Sequence, residues 1–338
     1  MDRKRFLELS GQFGSRTIAV IGDFFLDRYL YFDESLREES RETGLAANQV
    51  IRVVHSPGAA GNILTNLVKM GAGRVIAVGY TGDDGEGYEL RQDVRQLGCS
   101  DEYMLLFDRH TCTYTKPQNA ALPGLSGEKE RYDIKNRTPF TPAEEERLTD
   151  KIAAAVEEAD GVVIADQSEV EEEGCGLITP RVREALHDLT VKYPAKVFWV
   201  DSRLRGHLFA NMIVKPNAAE AVGCMMKDAP LTEDNLLLAG KALAERTGKP
   251  VFLTRSEQGV SIFDSRGVTL VPARQVEGEI DPTGAGDSFT AGAVLTLAAG
   301  GTCREAAETG CLTASVSVKM LGRTGYATCG DILGLLSR

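Results

Sequence analysis

The chain has 338 residues, 43% of them hydrophobic and 26% charged, which excludes global disorder and leaves room for two domains or one large one. Thirty-eight Lys and Arg against 49 Asp and Glu give a net charge of −11, a surface that repels nucleic acid and anionic lipid. The seven cysteines are odd in number, form no CxxC pair and accompany only four histidines, which argues against a disulfide scaffold or a zinc site and for reduced thiols.

The start, Met1–Ser10, is charged and has no apolar signal core. The longest apolar-leaning run, Ala291–Gly300, is far shorter than the ~20 residues of a membrane span. A soluble, cytoplasmic protein is expected. Thr17–Gly22 is a short β-branched run ending in Gly-Asp and predicts a buried strand. The segment from Phe24 to His55 is charged and aromatic, with an exposed strand at Val50–Val54. Gly58–Met70 predicts a helix with Ile63, Leu64, Leu67 and Met70 on one face. Arg74–Val78 is a second buried strand, followed by a helix at Gly87–Leu97. From Tyr103 to Tyr132 short polar and apolar stretches with Thr, Tyr and Pro suggest antiparallel strands.

After Pro142 the alternation is regular. Helices are expected at Ala143–Ala159, Pro180–Tyr193, Glu220–Met226 and Glu233–Thr247. Strands are expected at Gly161–Ala165, Lys196–Asp201, Asn211–Lys215, Val251–Thr254, Val260–Phe263 and Val268–Val271. Two apolar helices, Gly286–Ala299 and Thr302–Met320, come last. Strands alternating with helices of this length imply a parallel sheet covered on both faces. Insertions at about 28–56 and 103–135 break the rhythm and are expected to form a small β-sheet lid over a single domain. The acidic run Glu169–Glu173 reads as a solvated loop, with a metal or basic-partner role as the alternative.

The chemistry concentrates in Asp281-Pro-Thr-Gly-Ala-Gly-Asp287. Small residues before an apolar helix let the backbone approach an anion, and the free N–H groups of the helix start then point at it. A carboxylate at the same terminus is held ionised by the helix dipole and can accept a proton from a hydroxyl. That pairing suits phosphoryl transfer to an alcohol, where the protein mainly positions groups and neutralises charge. A Gly-rich turn with an acidic cap that simply starts a helix remains the alternative on the residues alone.

DPTGAGDSFTAG resembles the C-terminal signature of the ribokinase/PfkB sugar kinases, and its companions follow in order along nearly the whole chain. Gly22-Asp23-Phe-Phe-Leu-Asp27-Arg-Tyr is similar to the family's N-terminal sugar-binding segment. Pro57-Gly58-Ala59-Ala60-Gly61-Asn62 resembles PGGAAN, Val78–Asp84 the VG.vGdD stretch, and Lys215-Pro216-Asn217-Ala-Ala-Glu220 the PNxxE motif. Thr254–Gly259 stands in the place of the nucleotide loop. Within the family, GDFFLDRY and the acidic lid most resemble the heptose-7-phosphate kinases of ADP-heptose synthesis.

The resemblance implies a three-layer ribokinase-like α/β fold with a central, mostly parallel sheet. It also implies an ATP-dependent kinase acting on a sugar or sugar phosphate. Asp287 would be the general base, and the backbone of Gly284, Ala285 and Gly286 the anion hole for the γ-phosphoryl group. Asp27, Gly58 and Asn62 would take the sugar. Thr254, Gly259 and Thr283 would lie against the nucleotide. Asn217 and Glu220 would position Mg²⁺ through waters, and Asp281 would serve a monovalent cation such as K⁺.

Four positions depart from the family pattern. Pro282 replaces a Thr beside the cation site, Ala59 the second Gly of the GG pair, Ser256 a Gly of the nucleotide loop, and Cys311 an Asn near the adenine. Lys116, Arg131 and Lys135, and equally Arg109, His110 and Arg203, are read as solvated charge, with a sugar-phosphate contact as the alternative. The lone Trp199 reads as core, and His55, His187 and His207 have no metal spacing.

The alternatives are a fructokinase, ribokinase or nucleoside kinase, or a silent sugar- or nucleotide-binding module of the same fold. A nicotinamide dehydrogenase is disfavoured because no GxGxxG follows the first strand. The bare edges of a lid sheet predict a homodimer through the lid, and lid closure would shield the phosphoryl group from water. Any nucleotidylyltransferase activity is expected on another polypeptide, because Arg338 falls about where the kinase fold finishes.

Overall fold

The structure, a computed structural model, describes residues 1–321 and 324–337. A short helix, α1 (Arg3–Ser10), packs Phe6 and Leu9 into the core ahead of strand β1 (Thr17–Gly22). Two long strands follow, β2 (Phe24–Glu39) and β3 (Ala46–Ala59), then helix α2 (Ala60–Lys69). Next come β4 (Arg74–Gly82), α3 (Gly85–Gln96), β5 (Ser100–Phe107), β6 (Thr113–Asn119) and β7 (Tyr132–Ile134). The regular part runs α4 (Pro142–Glu158), β8 (Gly161–Asp166), α5 (Pro180–Lys192), β9 (Val197–Ser202) and β10 (Ile213–Val214). It continues with α6 (Ala218–Met225), α7 (Glu233–Thr247), β11 (Val251–Thr254), β12 (Val260–Asp264) and β13 (Gly267–Val271). Helices α8 (Ala285–Ala298), α9 (Cys303–Ser317) and α10 (Cys329–Leu336) complete it.

The main sheet has nine strands in the order β13-β12-β11-β10-β9-β8-β1-β4-β5. It is parallel from β11 to β5, with β12 and β13 added antiparallel at one edge. The two-residue period of a strand sends alternate side chains to two cores. Ile18 and Val20 of β1 join the layer with α2, α8 and α9, while Ala19 and Ile21 join the layer with α4, α5 and α7. Trp199 is fully buried, as its strand context predicts. No helix among the described residues is long and apolar enough to cross a membrane.

A second sheet of four strands, β3-β2-β6-β7, stands apart from the first. Its composition corrects one sequence expectation. Tyr103–Phe107 does not enter it but pairs parallel with β4 as the edge of the main sheet, so the second insertion reaches the small sheet only at Thr113. Tyr103 and Phe107 are buried in the main core, which decides the matter by burial where the Thr- and Tyr-rich composition misled. β6 also pairs parallel, not antiparallel, with β2. The expected strand Asn211–Lys215 shrinks to β10, since Asn211 takes a left-handed backbone with φ of 60°.

In an open parallel sheet, the carboxyl ends of the strands define the ligand crevice. Here that edge gathers Asp23 after β1, Asp166 at the end of β8, Asp201 near the end of β9, Lys215 after β10 and Thr254 closing β11.

Candidate active site

The turn before α8 is built on Gly284, whose φ of 76° is left-handed and whose Cβ, if present, would lie 2.5 Å from Thr324 Cγ2. Gly284 caps α8 with no side-chain hydrogen bond, which leaves first-turn N–H groups to an external acceptor. The Ala285 N–H is already engaged, donating to the Pro282 carbonyl at 3.1 Å. A Cβ on Gly286 would sit 3.5 Å from Lys215 Nζ, so an ammonium stands beside the backbone that faces an incoming anion. Asp281 is buried, accepts the Thr283 N–H at 3.0 Å and donates its own N–H to the Val318 carbonyl at 2.8 Å.

Asp287 follows in the first turn of α8. The residue is half-buried, and desolvation and then the nearby Asp201 raise its pKa to about 7, against the pull of Lys215, Arg203 and a hydrogen bond from Asn62. Lys215 Nζ lies 3.1 Å from Asp201 Oδ2, with both side chains almost fully buried. Burial works against the ammonium, yet Asp201, Glu220 and Asp287 hold its pKa above the ordinary lysine value. Thr290 donates to Asp201 Oδ2 at 3.3 Å and receives the Trp199 indole N–H, also at 3.3 Å, which fixes Asp201 from below.

Thr254, Gly259, Asn217, Glu220, Asp287 and Cys311 are among the residues lining one cleft of about 530 Å³. Thr283 is not among them. Asn217 and Glu220 cap α6 reciprocally: Asn217 Oδ1 accepts the Glu220 N–H at 2.9 Å and Glu220 Oε2 the Asn217 N–H at 2.8 Å. Burial raises the Glu220 pKa, with Lys215 opposing. Three carboxylates (Asp201, Glu220 and Asp287) therefore share one buried lysine, a surplus of negative oxygen that suits a hard divalent cation held through waters. Among the described residues no three Asp, Glu, His or Cys side chains converge as direct ligands.

On the other side, β2 carries Asp27, β3 carries Gly58 and α2 carries Asn62. A Cβ on Gly58 would lie 2.9 Å from the Asp27 carboxylate, so glycine leaves room for that buried side chain. Asn62 bonds Asp287, which joins the expected sugar residues to the expected base. Lys116 corrects a reading from sequence. It is not solvated but mostly covered, with Nζ 3.2 Å from Asp27 Oδ1 and 3.2 Å from the Tyr29 hydroxyl, because β6 pairs in register beside β2. Arg109 is also no solvated charge, since it pairs with Glu144 at 2.9 Å and stacks on Phe140. His110 is exposed.

The glutamates of the acidic run are all exposed on an irregular loop, as expected, and surface ion pairs hold its two ends. Glu169 meets Lys135 at 2.7 Å, and Glu173 meets Arg183 at 2.7 Å. Sequence reasoning also missed Asp23, whose carboxylate accepts the N–H groups of Gln167, Ser168 and Leu177 at 3.2, 3.1 and 2.8 Å. Lys215 and Asp201 were missed as well. Lys215 stands at the head of the Lys-Pro-Asn motif and Asp201 closes an expected strand, so both were readable had strand ends been aligned.

The family of pfkB carbohydrate kinases matches residues 15–326. The bifunctional protein HldE of Pelobacter propionicus is 28% identical over 97% of the chain, and that of Gluconacetobacter diazotrophicus 30% over 96%. The chain spans 64% of the length of each of these relatives. By structure it is similar to phosphofructokinase-2 from Escherichia coli in complex with potassium, with TM-score 0.70, 18% identity, and 96% and 99% of the two chains covered. Arabidopsis thaliana ribokinase complexed with ribose and ATP gives TM-score 0.69 at 17% identity, covering 96% and 99%. At these identities the likeness is one of fold.

Proposed function

Because the chain belongs to the pfkB family of carbohydrate kinases, we propose that it moves the γ-phosphoryl group of ATP to a hydroxyl of a sugar phosphate, a heptose 7-phosphate-like acceptor being favoured. The observation that carries this reading is the junction at Asp287, where the base, an amide from the sugar side and a buried ammonium meet.

Asp27, Gly58 and Asn62 take the sugar hydroxyls, and the Asn62 amide orients the Asp287 carboxylate toward the reacting one. A carboxyl with a pKa of about 7 is better matched to receiving a proton at neutral pH than an ordinary aspartate. The turn of Gly284, Ala285 and Gly286 receives the transferred group; since the Ala285 N–H is engaged, the Gly286 backbone and Lys215 supply most of the attraction. Thr254 and Gly259 serve the nucleotide side, whereas Thr283, not among the residues lining that cleft, donates its N–H to Asp281. Asn217 and Glu220 would hold the waters of Mg²⁺, which supplies charge neutralisation on the nucleotide phosphates when bound. Asp281 is the candidate for a monovalent cation, with Pro282 removing one donor beside it.

The reading extends to one catalytic unit over 1–338, cytoplasmic and dimeric. Val50, Ile51, Val53 and Val54 flank Arg52 on β3 and are all exposed, so both faces of that strand are bare in the single chain. A second copy covers such a strand at lower cost than water.

The test is ATP consumption over a panel of hexoses, heptoses, their terminal phosphates, ribose and nucleosides, with and without Mg²⁺. Turnover with a sugar phosphate supports the reading. Turnover confined to ribose, fructose or a nucleoside moves the substrate class, and nucleotide binding without any turnover points to a silent binding module.

A further inference from the structure

The charged residues between the small sheet and the main sheet form a cluster that the phosphoryl chemistry above does not use. Lys135 follows β7, Glu169 lies on the loop after β8, and Arg203 lies on the loop after β9. Lys135 Nζ is 2.7 Å from Glu169 Oε2 and 3.7 Å from Asp133 Oδ2. Arg203 Nη1 is 3.8 Å from Glu169 Oε1, and its Nε donates to Gln167 Oε1 at 3.0 Å. One carboxylate is thus held between two cations from different elements.

We infer that Lys135 and Arg203, with Arg131 beside them, are the seat for an anionic group carried by the acceptor, and that Glu169 fills this seat while the acceptor is absent. The inference rests on the sugar-phosphate reading and names the residues that would recognise the phosphate.

Position supports it. The Arg131 guanidinium stacks 4.2 Å over the Tyr114 ring, and Lys135 Nζ is 5.6 Å from the same ring. Tyr114 is register-paired with Asp27, the expected sugar carboxylate. Arg203 lines the cleft that Asp287 lines, while Arg131 and Lys135 stand over Tyr114 of the small sheet, so the seat lies between the base and the sugar strand. An acceptor held by Asp27 at one part and by Asp287 at its reacting hydroxyl has its remaining end near these cations.

Chemistry supports it too. A phosphate dianion brings more charge and more acceptor oxygens than a carboxylate, and a guanidinium fork matches it in two bonds. Glu169 is on an irregular loop with its side chain 43% exposed, so it can swing out to water when displaced. Lys135, at 18%, is confined against the Tyr114 ring and stays.

The experiment compares the parent protein with Lys135→Met, Lys135→Arg, Arg203→Met and Glu169→Gln. Fructose and fructose 6-phosphate, and a heptose and its 7-phosphate, are measured by calorimetric binding and by kcat/KM. Lys135→Met and Arg203→Met should each reduce the preference for the phosphorylated over the plain sugar by about tenfold or more, the value of a charge-assisted contact. Lys135→Arg should retain most of it, and Glu169→Gln should tighten sugar-phosphate binding severalfold. An unchanged preference ratio, or weaker binding in Glu169→Gln, overturns the inference. A rise in KM for ATP in place of the acceptor would assign Arg203 to the nucleotide instead and also overturns it. If no acceptor is turned over, the kinase reading fails on its own, and the binding ratios still decide the seat.

Discussion

Lys215 Nζ and Asp201 Oδ2 stand 3.1 Å apart, almost wholly buried, against the turn that opens α8. Removing the cation leaves Asp201, Glu220 and Asp287 to repel one another with no positive charge between them. Lys215→Met should therefore cost about 3–5 kcal/mol of stability, as is usual when one partner of a buried pair is lost. Adding Asp201→Asn should recover part of that stability and none of the activity. Thermal melts of the two single variants and the double variant check this as a cycle.

Asp287→Asn should lower kcat by about 10²–10⁴, the usual worth of a general base. In the parent, kcat/KM should fall about tenfold per pH unit below about 7, because the proton acceptor is the ionised form. Lys215 holds this pKa down, so residual activity in Lys215→Met should show its acid limb at higher pH. A pH profile with a midpoint near 4 would contradict the assignment.

The same shift predicts a stability effect of opposite sense to activity. Asp287 binds its proton more tightly folded, at about 7, than in the unfolded chain, so between about 4 and 7 the folded state carries the extra proton. Stability from this group is present at low pH and lost as pH rises through 7. Asp287→Asn, neutral throughout, should melt up to about 5 °C above the parent at pH 8, with the gap closing toward pH 5. Melts of both proteins without nucleotide measure it.

Ala59 and Ser256 stand where the resembled family has glycine, and both take positive φ, each 51°. Each therefore holds a backbone conformation that glycine adopts more readily than a residue with a side chain. Ala59→Gly and Ser256→Gly should each relieve about 1–2 kcal/mol of strain, less about 0.5 kcal/mol for the freer unfolded chain. Each should raise Tm by about 1–2 °C. A fall in Tm in either would show that the added side chain packs usefully.

Light scattering at micromolar concentration should give twice the 36.5 kDa chain mass. Ile51→Asp, which puts a charge on an exposed position of β3, should return it to the single-chain mass with little loss of secondary structure.

Two kinds of information separate in this chain. Local periodicity placed β1, β8, α7 and β11 to within a residue or so, because buried strands and capped helices are written in neighbouring residues. The resemblance of the Gly-Ala-Gly-Asp287 turn and its companions to the pfkB pattern pointed to the cleft that Asn217, Glu220, Thr254 and Asp287 line. Partners far apart in sequence were not legible. That Tyr103–Phe107 is an edge strand of the main sheet, that Lys116 pairs with Asp27, and that Lys215 faces Asp201 depend on strand order and register. These arise from pairings across tens of residues, where long-range burial and not local preference sets the energy. Composition limited the −11 charge to a statement about the surface. The tertiary structure decided where the few cations stand, because only packing determines which charges are taken out of water together.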